Sequence, residues 1–113
     1  GAMTEAAVDA YNEAGRELVP MSGEGSNGFL GTWKENIDKG FTSVCPWYPT
    51  YISTVAMDQA LKALNGENIE KMYVLPSDSI TEEDIVKYYN PDLPESYWVI
   101  TNLTEEQINE LFK

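Results

Sequence analysis

The sequence predicts an α/β fold with a mostly parallel sheet, and three observations support this. Segments typical of helices alternate with short apolar runs along the chain. The apolar runs, at 18–21, 41–45 and 72–75, have the length of buried strands. The chain has 113 residues, of which 42% are hydrophobic, enough for one domain with a core. Since sheets usually have more than three strands, the sequence also predicts an incomplete part of a larger α/β protein.

Helical periodicity predicts three long helices in the first two thirds of the chain. Each is followed by a glycine, a residue that adopts at low cost the left-handed conformation that ends many helices. The predicted helices span 4–14, 27–37 and 50–64, and the terminating glycines are Gly15, Gly40 and Gly66.

Two further helix starts are marked in the C-terminal third. Thr81 is an expected N-cap followed by acidic residues, which favour the positive end of a helix dipole. Thr104 and Gln107 form the pattern of a capping box. The apolar run 97–100 between these starts is expected to pack onto the body of the protein.

The composition excludes several function classes. Acidic residues outnumber basic ones by 19 to 7, giving a net charge of −12, which disfavours nucleic acid and anionic membranes as partners. The chain has no histidine, the commonest general base and metal ligand, so neither an enzyme nor a metal or other cofactor is predicted. Cys45 has no partner for a disulfide and lies in an apolar run, which predicts a buried, inert thiol. Residues 1–3 have the sequence of a tag-cleavage remnant.

The segment 19–28 combines an apolar run with a glycine-rich loop and the start of a helix. Ligands of open α/β sheets bind beyond the carboxyl ends of the strands, which is where this loop is predicted to lie. Its Glu24 would repel phosphate, whereas Glu24 and Asn27 together suit the hydroxyl groups of a neutral polyhydroxyl ligand. The alternative is that both side chains only cap the following helix.

Trp47 and Tyr48 follow the second predicted strand and stand between two prolines. Ligand pockets combine aromatic walls with a few polar groups, and aromatic rings commonly stack on sugar rings. Both residues are therefore candidates for ligand binding. The alternative is that they belong to the core or to an interface.

Three stretches carry a resemblance to a known family. The run AYNEAGRELVPMSGEGSNGFL, residues 10–30, resembles the sugar-binding components of bacterial ABC importers of the ribose/galactose type, the class I periplasmic binding proteins. The run ALKALNGE, 60–67, resembles a late helix of that family and its glycine stop. The run YYNPDLPESYW, 88–98, is similar to the C-terminal extension of one subgroup.

The resemblance implies a Rossmann-like parallel-sheet lobe of a type I periplasmic binding protein, incomplete and with an extra C-terminal helical tail. In such proteins two lobes close on a sugar at the hinge between them. The implied organisation is a remnant at 1–3, part of the C-terminal lobe at 4–46, a hinge crossing at 47–49, a helix at 50–66 that packs on the absent N-terminal lobe, and a return strand with the tail at 67–113.

The resemblance also implies a function and partners. Glu24 takes the place of the carboxylate in the family's Gly-x-Asp-Gly loop, which hydrogen-bonds sugar hydroxyls, and is one methylene longer. The position that often carries a ligand-binding glutamine falls on Pro46 or Trp47. The implied function is solute binding for carbohydrate import, with a monosaccharide or polyol as ligand. The alternative is the sugar-sensing effector domain of a transcriptional regulator.

The implied partners of the full protein are a membrane permease and, for this chain, its N-terminal half or a second copy of itself. The location that the resemblance implies is extracytoplasmic. Without the first lobe the apolar face of the helix at 50–64 would be exposed, which soluble monomers avoid.

Overall fold

The computed structural model describes residues 1–112. Five α-helices and two short strands are found in this range. The helices are α1 (Ala2–Glu13), α2 (Asn27–Asn36), α3 (Ile52–Leu64), α4 (Ile85–Tyr88) and α5 (Glu105–Phe112); the strands are β1 (Cys45–Trp47) and β2 (Asp78–Ile80); 3-10 turns span Ile37–Lys39 and Glu82–Asp84.

The predicted glycine stops are confirmed. Gly15, which follows α1, has φ 61°, and the next amide, of Arg16, donates to the carbonyl of Tyr11 over 2.9 Å. Gly40 and Gly66 also have positive φ, 83° and 80°, after the Ile37–Lys39 turn and α3. An L-residue with a Cβ would be strained at these three positions, so glycine fixes where each helical segment ends.

The helix starts differ in detail from the prediction. The first helix begins at Ala2, so two residues of the predicted remnant are helical. Thr104 and Gln107 form the predicted capping box: the Thr104 amide donates to Gln107 Oε1 over 2.9 Å, and the Gln107 amide donates to Thr104 Oγ1 over 3.3 Å. Thr81 also caps as predicted, through a reciprocal box with Asp84, but what it opens is a 3-10 turn.

The only sheet in the described range consists of β1 and β2, which are antiparallel with Cys45 opposite Ile80 and Trp47 opposite Asp78. The predicted strands at 18–21 and 72–75 do not form, and the strand predicted at 41–45 overlaps β1 only at Cys45. Pro20 cannot donate a ladder hydrogen bond, and short apolar strands depend on neighbours on both sides for stability. The individual strand predictions are therefore wrong here, while the α/β class of the whole protein stays a prediction.

The segments 21–25 and 42–47 nevertheless run side by side in the same direction, although only the end of the second one, β1, is a strand. The amide of Met21 donates to the carbonyl of Thr42 over 3.3 Å. Further along both segments, a Cβ placed on Gly25 would lie 3.6 Å from Cys45 Sγ and 4.0 Å from Trp47 Cβ. The loop after residue 21 therefore lies beside β1, as neighbouring parallel strands would place it.

The core lies between α1, α2 and the strand pair. Helix α2 contributes more core residues than any other element: three of its side chains are fully buried, and their spacing at the helical period places them on one face. The rings of Phe29 and Trp33 are tilted against each other with centroids 6.1 Å apart. The buried core consists of Val8, Phe29, Leu30, Trp33, Phe41, Cys45, Ile80 and Ile85.

Residues 48–77, which we call the arm, contribute no side chain to this core. The arm comprises α3 and the segment that returns along it, joined by a hydrogen bond of 2.7 Å from the Tyr73 hydroxyl to Gln59 Oε1. No residue of α3 is buried. The radius of gyration is 17.5 Å, whereas a compact chain of this length has about 13 Å.

Candidate functional site

The glycine-rich loop is held tightly against the start of α2. Ser26 is the N-cap of α2, and its Oγ accepts a hydrogen bond of 3.2 Å from the amide of Phe29. Gly23 lies against the Phe29 ring, where an added Cβ would come within 2.6 Å of ring carbons. Since only glycine permits this approach, the loop has a fixed path and directs Glu24 outward.

Residues 89–112, which we call the C-terminal tail, pair with the same loop along residues 95–99. The amide of Asn27 donates to the carbonyl of Tyr97 over 2.7 Å, and the amide of Val99 donates to the carbonyl of Gly25 over 3.0 Å. The tail therefore lies along the loop like a short antiparallel partner. The sequence predicted that 97–100 packs onto the body, but not that it packs onto this loop.

Asn27 is the side chain that fixes the tail. It is only 3% exposed, and its Nδ2 donates to the carbonyls of Asn90 and Leu93 over 2.8 and 2.9 Å. Its Oδ1 accepts from the amide of Asn90 over 3.0 Å. Both amide protons are used within the chain, so a ligand could reach only the second lone pair of Oδ1.

Glu24 lines a cavity of about 390 Å³, which we call the loop cavity. Its side chain is 55% exposed, and its carboxylate lies 3.8 Å from the amino group of Gly1. Glu5 lies behind it and accepts a hydrogen bond of 3.4 Å from Ser26 Oγ. The loop cavity is lined by Gly1, Ala2, Glu5, Glu24, Ser26, Glu95, Ser96 and Trp98, so the first two residues of the chain form part of its wall.

The two aromatic residues predicted as ligand contacts lie outside this lining. Trp47, in β1, is half-buried and packs against the core. Tyr48 is 51% exposed and lines a groove of the arm. Its ring is tilted against that of Trp98, with centroids 6.3 Å apart.

Trp98 is the aromatic residue that shares the loop cavity with Glu24. It is 36% exposed, and Ser26 and Trp98 form an isolated antiparallel bridge. The sequence did not predict Trp98 as a site residue, because no local pattern distinguishes it. Trp98 reaches the loop only through a pairing across about seventy residues of chain, and hydrophobic periodicity carries no information about contacts at that separation.

The electrostatics of the loop cavity favour hydroxyl donors. Three carboxylates, of Glu5, Glu24 and Glu95, line it, and among residues 1–112 no lysine or arginine belongs to the lining; the amino group of Gly1 lies 3.8 Å from Glu24. Carboxylates accept hydrogen bonds from hydroxyls and repel phosphate. Within residues 1–112 no cluster of three or more acidic or cysteine side chains has the arrangement of a metal site.

Cys45 is buried as predicted, and its surroundings make it inert. Burial raises the pKa of its thiol from 9.0 to about 11, because the thiolate would lose its hydration in the core. At pH 8 the folded chain is expected to react with a thiol reagent about a hundredfold more slowly than the urea-unfolded chain, since it holds that much less thiolate.

The same shift has a consequence for stability. Because the folded-state pKa of Cys45 lies above the unfolded value, its contribution to stability is complete below pH 9 and is lost as the pH rises to about 11.

The labelling experiment tests the burial of Cys45 directly. If the thiol reagent labelled Cys45 in the folded chain at pH 8 as fast as in urea, the buried placement of this thiol would be contradicted.

Comparisons of this chain with protein-family models, with curated proteins and with solved structures find no match. Among residues 1–112, no helix combines the length and the apolar character that crossing a membrane requires.

Proposed function

We propose that this chain forms one wall of a sugar-binding cleft and serves as part of a solute-binding protein for ABC-type carbohydrate import. The observation that supports this best is that the exposed carboxylate of Glu24 and the ring of Trp98 line one cavity. Carboxylates and aromatic rings are the two kinds of group that a monosaccharide engages, by its hydroxyls and by its apolar faces.

The ligand contacts follow from the chemistry of the lining. Glu24, on a loop whose path is fixed, accepts hydrogen bonds from ligand hydroxyls, and Ser26 adds a hydroxyl group. Asn27, one of the residues first expected to touch ligand, acts behind the cavity by holding the tail through its three hydrogen bonds. The two aromatic residues that were also expected to touch ligand lie close by: Tyr48 is next to Trp98, and Trp47, in β1, packs beside the loop at Gly25.

The loop cavity is open to solvent, so affinity depends on a second wall. In this proposal that wall is the N-terminal half of the same protein, which also covers the arm; when the half is absent, a second copy covers the arm instead. The arm suits an interface because it exposes apolar side chains and has three acidic and two basic residues, so most of the net charge lies elsewhere. The full protein would act outside the cytoplasm with a membrane permease.

The role of Glu24 is tested by Glu24→Gln. This change keeps the size of the side chain but removes the charged acceptor, and hydrogen bonds to charged groups are stronger than neutral ones. We expect the dissociation constant of the preferred sugar to rise about tenfold or more. The measurement is titration calorimetry with D-glucose, D-galactose, D-xylose, D-ribose and sorbitol, on the chain alone and on the chain combined with its N-terminal half.

The matched control is Glu106→Gln, which removes the same charge from an exposed position in α5. It is expected to leave sugar affinity unchanged. If no member of the panel binds to the combined halves, the proposed function is wrong. If a sugar binds equally well to the wild type and to Glu24→Gln, the assignment of Glu24 is wrong.

A further inference from the structure

The C-terminal tail supplies three residues to the loop cavity, Glu95, Ser96 and Trp98, and Trp98 is the aromatic one among them. Trp98 follows Tyr97, whose side chain is buried against the ring of Phe112 with centroids 5.2 Å apart. Since neighbouring residues of an extended segment point to opposite sides, the burial of Tyr97 turns Trp98 toward the cavity.

The position of Trp98 is fixed from both sides. On its N-terminal side the Asn27 amide donates to the carbonyl of Tyr97 over 2.7 Å, and on its C-terminal side the Val99 amide donates to the carbonyl of Gly25 over 3.0 Å. The partners of these two bonds lie on either side of Ser26, so the tail cannot slide along the loop without breaking both.

The burial of apolar surface alone does not explain why Trp98 is held at the edge of the loop cavity and remains partly exposed. Leaving 36% of a tryptophan exposed, next to Glu24 and Ser96, forgoes part of the free energy that its burial would contribute. Tyr48 contacts the Trp98 ring, with centroids 6.3 Å apart, and Trp98 also lines the loop cavity. A ligand ring would complete its burial.

We infer that Trp98 is a sugar-contacting residue, on which the apolar face of the ligand stacks while Glu24 binds its hydroxyls. This inference rests on the proposed function. It makes the tail a part of the binding site, and it predicts that ligand binding and the pairing of the tail with the loop stabilise each other.

The test uses the three tryptophans of the chain, Trp33, Trp47 and Trp98. The best-binding sugar of the panel is titrated while tryptophan emission is recorded, with the chain combined with its N-terminal half. We expect binding to change the emission of the wild type and of Trp47→Phe. In Trp98→Phe the emission change is expected to disappear while calorimetry still detects binding, because phenylalanine keeps an aromatic ring.

Trp98→Ala removes the ring altogether and is expected to raise the dissociation constant about tenfold, against about twofold for Trp98→Phe. Far-UV circular dichroism checks the fold of each variant; if the alanine variant does not fold, the loss of the emission change in Trp98→Phe decides. Sugar binding with full affinity in Trp98→Ala, or an emission change retained in Trp98→Phe, would overturn the inference and leave the proposed function intact. Absence of sugar binding in the wild type would overturn both.

Discussion

Replacing Asn27 with alanine is expected to lower the free energy of unfolding by about 3 kcal/mol and to release the tail from the loop. The wild-type side chain makes three hydrogen bonds to backbone groups of Asn90 and Leu93. Alanine satisfies none of them, and the position is too buried for water to replace them all. Urea unfolding followed by circular dichroism measures the loss. Hydrogen exchange of the amides in 90–99 reports the release of the tail.

The control is Asn102→Ala, which removes the same side chain from an exposed position of the tail. It is expected to change the free energy of unfolding by less than about 0.5 kcal/mol. Equal urea midpoints for Asn27→Ala and the wild type, with slow exchange kept in 90–99, would contradict the role that we assign to Asn27.

The second large effect is expected on the arm. Met57, Leu61 and Leu64 form an exposed apolar stripe on α3 at helical spacing. Purified alone, the chain is therefore expected to sediment as a dimer or larger species. Leu61→Glu places a charge in that contact, and we expect it to raise the dissociation constant of self-association at least about a hundredfold. Sedimentation velocity across a concentration series measures the oligomeric state of the wild type and the dissociation constant of self-association of each chain.

Val86→Glu is the matched control, since Val86 is an exposed apolar residue of α4, outside the arm. It is expected to associate like the wild type. A wild-type chain that sediments as a compact monomer at every concentration would contradict the proposed interface. Equal weakening by Val86→Glu and Leu61→Glu would show that association does not depend on the arm.

Local signals in the sequence predicted helix ends and caps well. The stops at Gly15, Gly40 and Gly66 and the box of Thr104 with Gln107 depend on residues a few positions apart, so their physics is contained in the sequence. The strands were predicted poorly because the run at 18–21 needs neighbouring strands for its stability, and its own composition does not supply them.

In the candidate site, too, the sequence indicated the local features but not the contacts between distant residues. Glu24 was a candidate because it stands in a glycine-rich loop next to a helix start, and its half-exposed side chain lines the loop cavity. The use of Asn27 to hold the tail, and the arrival of Trp98 in the loop cavity, depend on contacts between residues more than sixty positions apart. Such contacts arise only once α2 and the tail have packed together, so no pattern within a short window could predict them.

The most direct test of a sugar site at the loop cavity is a nuclear magnetic resonance titration of the isotope-labelled chain, combined with its unlabelled N-terminal half. The sugar panel is added while the backbone amide and indole signals are followed. We predict shifts concentrated at residues 23–26 and 96–98 and at the indole N–H of Trp98. Shifts confined to the arm, or none at saturating sugar, would contradict the sugar site that we propose.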